Sequence, residues 1–462
     1  VEAEVTAGNY GLFGVSASYN DALSDTAAFS LYGVKRWRDG FLDVETGAGP
    51  RTSREDNNLD FHGLRGQLLL EPTDGLRIRM IADYASRSEE CCASVTTTRG
   101  PTAAIVDALA GGEGVIPVPD PSRRLAYSND TTRQSVEDKG WSVQVDWDTP
   151  WLGEATLTSI TAMRDWINLN SGDLDFTTAP IWVRHYGAGE NDVGFETFSQ
   201  ELRLTGSTDK VDWMVGAFYA DEDLVRNDSI TMGSAYEPYL SIALLSNIAA
   251  AFPPGLVDTS NPFLFLSQAA GRPYGTTFVG GGSHDHFEQN ARSMALFTNN
   301  VWHATDALDV TIGARYTDER KQLRSQLSNP NGGIGCANGL LNPAQVGAAL
   351  AGRGVPGPYI ADLVPTVIGY MCLPWSNVMH HGRDTWQERD EKEWSGSLRV
   401  SYRWSEALMT YVSAARGYKA GGFNLDRVQV GVTPQDDTYF PGEFVDSYEL
   451  GLKTTWADGN LL

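Results

Sequence analysis

Hydrophobic and polar positions alternate with a period of two along most of the chain. Between Trp141 and Asp148, Trp141, Val143, Val145 and Trp147 fall on one side, and Ser142, Gln144, Asp146 and Asp148 on the other. From Glu393 to Trp404, Trp394, Leu398, Val400, Tyr402 and Trp404 oppose Glu393, Ser395, Ser397, Arg399, Ser401 and Arg403. The stretches 310–317 and 448–456 repeat the pattern. A period of two is the signature of a strand with two unlike faces. The reading is all-β, with about fourteen strands near 2–8, 12–20, 26–38, 59–71, 76–88, 138–149, 155–168, 194–206, 211–223, 288–302, 308–325, 392–404, 408–424 and 443–456.

The connections sort by length. Short ones are expected at 21–25, 72–75, 150–154, 207–210, 303–307 and 405–406. Long ones are expected at 39–58, 89–137, 169–193, 224–287, 326–391 and 425–442, with one tight exception at 8–11. Aromatic residues recur near strand ends: Trp141 and Trp147, Trp394 and Trp404, Tyr448 and Trp456. A soluble sandwich alternates too, but has no reason to segregate loop lengths or to girdle itself with aromatics. A transmembrane antiparallel β-barrel does both, with short periplasmic turns and long extracellular loops. Most of the strands exceed the ~9–11 residues needed to cross the hydrocarbon, so they are expected to project beyond it.

Composition narrows the function classes. The 462 residues carry 59 Asp and Glu against 35 Lys and Arg, a formal charge of −24. That balance argues against a nucleic-acid partner, which calls for a basic face. With 41% hydrophobic and 10% aromatic residues the chain is not a disordered one. It holds no uninterrupted apolar run long enough for a membrane helix. Its most apolar stretch, 242–257, is broken by Ser246, Asn247, Pro253 and Pro254.

Several segments together resemble the TonB-dependent outer-membrane receptors. They include Glu4-Val5-Thr6-Ala7-Gly8-Asn9-Tyr10-Gly11, Arg38-Asp39-Gly40-Phe41, Gly63-Leu64-Arg65-Gly66-Gln67-Leu68 and Ile81-Ala82-Asp83-Tyr84. Ser199-Gln200-Glu201-Leu202-Arg203-Leu204 and Gly313-Ala314-Arg315-Tyr316-Thr317 follow. The most specific is Ala415-Arg416-Gly417-Tyr418-Lys419-Ala420-Gly421-Gly422-Phe423-Asn424, followed by Tyr448-Glu449-Leu450-Gly451-Leu452-Lys453. The resemblance implies a barrel of about 22 strands filled by an N-terminal plug and energised through TonB. Residues 1–462 are then expected to be a partial barrel domain, without the plug, the TonB box or about eight final strands. The function it implies is uptake of a scarce nutrient across the bacterial outer membrane, with a ferric siderophore as first choice. Expected partners are TonB, acting through the missing plug region, the iron–siderophore or a similar small nutrient, and outer-membrane lipid with lipopolysaccharide. No cofactor is expected and no enzymatic activity.

Candidate site residues are few. Binding groups concentrate on loops over a rigid scaffold. The two longest loops carry Tyr236, Tyr239, Tyr359 and Trp375, which suit capture of a partly apolar ligand or packing of the loops on each other. Cys336 and Cys372 share one loop and form the favoured disulfide, with Cys91 and Cys92 bonded to each other or free. His284-Asp285-His286 and His380-His381 are weighed as metal ligands against ordinary loop residues, without a recognisable ligand spacing. Arg65, Arg77, Arg79, Arg203, Arg315, Arg399 and Arg403, with Glu201, Glu393, Glu449 and Asp146, are expected inside the barrel. They would either guide a ligand or dock a plug, or simply form a salt-bridged wall. Asn342-Pro343 is expected to start a short helix through Leu350. Two alternatives stay open. A passive porin-like channel predicts self-closure at this length, and a soluble β-rich enzyme predicts a carboxylate pair that the spacing does not reveal.

Overall fold

The computed structural model describes residues 1–149, 155–427 and 438–455. The expected turn at 150–154 and Trp456 lie outside them. Fourteen antiparallel strands follow one another in chain order along a single sheet. They are β1 Glu2–Ala7, β2 Phe13–Ser24, β3 Ala27–Arg38, β4 Leu59–Thr73, β5 Leu76–Glu90, β6 Arg133–Asp148 and β7 Thr156–Asn170. The second half is β8 Asn191–Ser207, β9 Val211–Met232, β10 Gly282–His303, β11 Leu308–Ser328, β12 Arg383–Ser405, β13 Leu408–Lys419 and β14 Glu443–Thr454. Two short strands, Gly172–Asp173 and Trp182–Arg184, join the same sheet at its long-connection end.

The register keeps the alternation in phase across the whole sheet. Ile312 pairs with Leu398 and Leu398 with Ala414, all on one face. That face presents Leu296 (66% exposed), Trp394, Leu398, Trp404 and Leu450 (84% exposed) outward. An apolar face with no protein against it is what lipid requires. The opposite face carries Arg77 beside Asp146, and Arg203 opposite Thr158. It is the polar interior.

Several strands run further than the alternation predicts. β9 and β12 extend to Met232 and back to Arg383, where strands were expected to stop at 223 and begin at 392. Apolar alternation ends there, yet pairing continues because charges replace it. On the outer face Arg320 pairs with Glu388 at 2.7 Å, Arg324 with Asp384 at 2.8 Å and Lys392 with Asp318 at 3.2 Å. Opposite charges across strands stabilise a sheet without a buried face. β13 does the reverse and ends at Lys419, short of the expected 424. Beyond it the chain bends at Gly421, where a side chain would strike the Phe440 carbonyl.

The main apolar core lies outside the sheet, at its long-connection end. Six helices build it there: α1 Ala103–Ala110, α2 Tyr236–Ala250, α3 Phe265–Ala270, α4 Ile334–Leu341, α5 Pro343–Gly352 and α6 Gly357–Met371. Leu245, Phe265, Leu266, Val346, Leu350, Val367 and Met371 are fully buried among them. α5 starts where Asn342-Pro343 predicts, with proline in the first turn, whose missing N–H costs nothing there. α3 ends on Gly271 in the left-handed conformation, its N–H returning to the Gln268 carbonyl.

Candidate functional site

The four aromatic candidates divide once placed. Tyr236, in the first turn of α2, is 3% exposed. Trp375 donates its indole N–H to the Tyr236 hydroxyl at 2.9 Å, and Trp182 and Phe278 flank the Tyr236 ring. Burial pushes the Tyr236 phenol above its ordinary range. Tyr236 is therefore part of the packed core and does not face a ligand. Trp375 is partly buried against the same core, 4.5 Å from Trp182 between ring centroids. Tyr239 is half-buried, and its hydroxyl donates to Thr102 Oγ1 at 3.2 Å, which joins α2 to the start of α1. Tyr359 is 54% exposed and meets Phe252 edge-on at 5.2 Å. Of the four, it is the one that presents its ring outward.

The loops are stitched covalently and by buried polar groups. A disulfide joins Cys336 in α4 to Cys372 at the end of α6, and a second joins the neighbours Cys91 and Cys92. Glu237 is completely buried and accepts backbone N–H groups from Gly275 and Thr277 at 3.3 Å. Burial raises its pKa. Asp173 is buried with the partly buried Asp175 beside it, and desolvation pushes both carboxyls up.

Three arginines give each part of the cap an internal node. Arg51 is buried and reaches Ser53 O, Glu55 O, Asp130 O, Thr132 Oγ1 and Asp56 Oδ2. Arg353, at the end of α5, holds Ser260 O, Asn261 O and Gln268 Oε1. Arg427 grips both oxygens of Asp285 at 2.7 Å and also reaches Ser328 O and Pro374 O. Guanidinium is suited to this because it offers five donors in a fixed plane. No local sequence pattern marks these three, since a loop arginine reads as a solvated charge.

Inside the barrel the expected inward arginines share the polar face. Arg77 pairs with Glu71 at 2.8 Å, Arg203 with Glu201 at 3.3 Å, and Arg79 bonds Gln144 Oε1 at 2.7 Å. The Arg315 guanidinium lies over Phe218 and Phe297, and Arg399 over Tyr411, whose hydroxyl donates to Glu449. An unexpected centre is Arg164, which bridges Asp83 at 2.9 Å and Asp138 at 2.7 Å. The lower interior, near Asn20, Gln67, Arg77, Arg79 and Asp146, holds a cavity of about 470 Å³.

The histidines do not assemble. His284 and His286 lie on the outer face of β10, with Asp285 on the inner one. His284 Nδ1 is 2.7 Å from Ser229 Oγ, and His286 bonds Asn227 and Glu288. His380 is buried, and the Asn329 N–H donates to His381 Nδ1. Among the described residues no group of three or more His, Cys, Asp or Glu side chains is arranged to hold a metal ion.

This combination of lipid-facing band, polar interior and helical cap can be set beside known proteins. The solved ferric yersiniabactin uptake receptor FyuA from Yersinia pestis is similar, with a TM-score of 0.61 and 13% identity over 97% of this chain and 51% of that one. The ferric-catecholate import receptor Fiu from E. coli K12 gives 0.58 and 12%, over 99% and 56%. The copper transporter OprC gives 0.53 and 9%, over 98% and 51%. At these identities the likeness is one of fold, and the chain spans about half the length of each structure. A search of curated proteins finds no match. A family model described as TonB dependent receptor-like, beta-barrel matches residues 99–462, most of the chain, and the chain therefore belongs to the TonB-dependent receptor β-barrel family.

Proposed function

We propose that the chain is the greater part of the barrel wall of a bacterial outer-membrane receptor that takes up a ferric siderophore by TonB-driven transport. The observation that carries this is the pairing of a lipid-facing fourteen-strand wall with a structured extracellular cap, in a chain matching the receptor family over residues 99–462. A diffusion channel has no need of a cross-linked helical cap over its mouth. The half-length coverage of the similar structures supports a plug and a TonB-contacting segment lying outside these 462 residues. TonB, the ferric siderophore, and outer-membrane lipid with lipopolysaccharide are the partners of this reading. Tyr359 and the exposed parts of the cap are where the ligand first lands. The siderophore named for FyuA and Fiu suggests iron, while OprC keeps copper as the competing cargo.

The test uses the complete gene product in cells stripped of their own siderophore receptors. Uptake of radioactive iron from a panel of siderophores is measured with and without TonB. Iron uptake that requires TonB supports the reading. Uptake independent of TonB favours a passive channel, and TonB-dependent copper uptake without iron uptake replaces the cargo but keeps the receptor.

A further inference from the structure

β12 carries an uncovered indole well above the apolar band. Its outward positions are apolar or aromatic from Trp404 up to Trp394, and charged from Lys392 upward. Trp386 is the exception. It faces outward, is 61% exposed, and among the described residues meets no other ring. It stands eight residues beyond Trp394. That is ~26 Å along the strand at ~3.3 Å per residue, and about 20 Å in height at a ~40° tilt. The polar layer beyond the hydrocarbon is only ~5–8 Å deep on each side. Trp386 therefore clears the phospholipid headgroup zone.

A single exposed aromatic needs no explanation by itself, but this one has a built frame. On the same face of β12, Asp384 and Glu388 stand two residues to either side of it. Across on β11, Gln326 is opposite Asp384, Arg324 opposite Trp386 and Gln322 opposite Glu388. Arg324 grips both oxygens of Asp384, at 3.1 and 2.8 Å, and Gln326 adds a bond at 3.3 Å. Arg320 holds one oxygen of Glu388 at 2.7 Å, and Gln322 the other at 2.8 Å. The arginine bonds above all keep both carboxyls below their ordinary range, and so ionised. Two arginines against two carboxylates leave the frame formally neutral, so it has no net charge with which to draw in a phosphate. A pyranose fits it. The C–H face of the sugar meets the negative face of the indole. Its hydroxyls donate to the carboxylates and accept from the amides and guanidinium groups. The site points away from lumen and cap, so cargo moving through the barrel does not pass it. What surrounds an outer-membrane barrel at this height is the saccharide of lipopolysaccharide.

We propose that the outer face of β11 and β12 around Trp386 is a docking site for the core oligosaccharide of lipopolysaccharide. One pyranose stacks on Trp386, with its hydroxyls bonded to Asp384 and Glu388. The site rests on the outer-membrane placement of the chain, but not on TonB-driven uptake or on the cargo.

The test uses the full-length protein inserted into phosphatidylcholine vesicles. The probe is phosphate-free core oligosaccharide with a fluorescent label at its reducing end. Insertion is scored first, by protection of the strands from protease, and equilibrium dialysis then reads binding. The parent binds the oligosaccharide. Trp386→Ala weakens binding at least about fivefold, the size of one stacking contact, and Trp386→Phe keeps part of it. Trp394→Ala, in the lipid-facing band, leaves it unchanged. Should Trp386→Ala fail to insert, Trp386→Gln takes its place. A parent that does not insert overturns the outer-membrane placement, and the site with it. A parent that inserts but binds no oligosaccharide, or a Trp386→Ala variant that binds as tightly, overturns the site alone. Binding that appears only when the phosphates are left on overturns stacking, and equal binding of dextran overturns the choice of lipopolysaccharide.

Discussion

The indole N–H of Trp375 donates to the hydroxyl of Tyr236 at 2.9 Å, across 139 residues of sequence. The bond ties the loop between β9 and β10 to the loop between β11 and β12 within the helical cap. Tyr236 fills space among Trp182, Phe278 and the helices. Truncating a buried aromatic costs about 3–5 kcal/mol, because transfer energy and cavity add. Tyr236→Ala is therefore expected to loosen the cap. Tyr236→Phe leaves the Trp375 N–H without its acceptor and costs about 1–3 kcal/mol. Tyr359→Ala, at an exposed ring, stays within about 1 kcal/mol. Protease susceptibility of the 233–281 and 329–382 segments ranks the three. Equal susceptibility of Tyr236→Ala and Tyr359→Ala would remove the distinction drawn between core and ligand-facing rings.

The Cys336–Cys372 disulfide closes a loop of 36 residues' separation that contains α4, α5 and α6. By chain entropy such a closure is worth about 4 kcal/mol. Replacing both cysteines by serine should let the cap open while the strands stay paired. Hydrogen exchange would then speed up in α4 to α6 and remain slow in β10 to β12. Uniform acceleration throughout would mean that cap and wall unfold as one unit.

His380 makes the cap sensitive to acid. Burial first, then the charges of Arg427 and Arg383 beside it, push its imidazole down to about 4. A free histidine titrates near 6.5, so the unfolded cap binds the proton first. Stability is full above pH ~6.5 and falls as pH drops towards 4, by at most about 3 kcal/mol. Asp173 and Asp175 act in the opposite sense. Their carboxyls are pushed up by burial, so their contribution weakens as pH rises. His380→Gln removes the first effect and leaves the second. Followed from pH 7 to pH 4, the cap of His380→Gln should therefore gain more stability on acidification than that of the parent, by up to about 3 kcal/mol. A variant with the parent's slope would place the acid response elsewhere.

Leu398 stands on the outer face between Trp394 and Trp404, in mid-band. An arginine there meets hydrocarbon and costs about 2–4 kcal/mol. The neighbouring inward Ser397 can take an arginine at little cost. The full-length protein, refolded into phosphatidylcholine vesicles, should show Leu398→Arg destabilised and Ser397→Arg unaffected. The reverse order would invert the assignment of faces.

How far each part could be read from sequence follows from the same physics. The wall was legible because lipid and lumen impose unlike solvents on alternate residues, as at Leu398 and Arg399. The strand tips were not legible: Arg320, Arg324, Glu388 and Asp384 face water like any loop, and only their partners make them strand. In the cap, Pro343 announced α5 because proline sits well in a first turn. α2 gave no such sign, and its Tyr236 looked like a ligand contact because an aromatic in a long loop has no periodicity to show what covers it. Arg51, Arg353 and Arg427 escaped for a related reason. What buries them is brought together from distant segments.

Arg51 and Asp56 provide the sharpest test of that last point. Their charged groups are 2.8 Å apart and almost wholly buried. Removing Asp56 leaves the buried Arg51 only a longer pair with Glu90 at 3.7 Å, so Asp56→Ala should cost up to about 3–5 kcal/mol. Many buried ion pairs can be exchanged for apolar residues without loss. Here the exchange should fail. Arg51 also donates to the carbonyls of Ser53, Glu55 and Asp130 and to Thr132 Oγ1. A methionine takes those charged bonds away, at about 1–3 kcal/mol each, and leaves Glu55 O only the Ser53 hydroxyl and Asp130 O only the Ser128 hydroxyl. The double variant Arg51→Met/Asp56→Leu is therefore expected to be no more stable than Asp56→Ala, read by hydrogen exchange of 42–56 and 125–132. Recovery of parent-like protection in the double variant would show that the charge pair alone, and not the carbonyl set around Arg51, orders these loops.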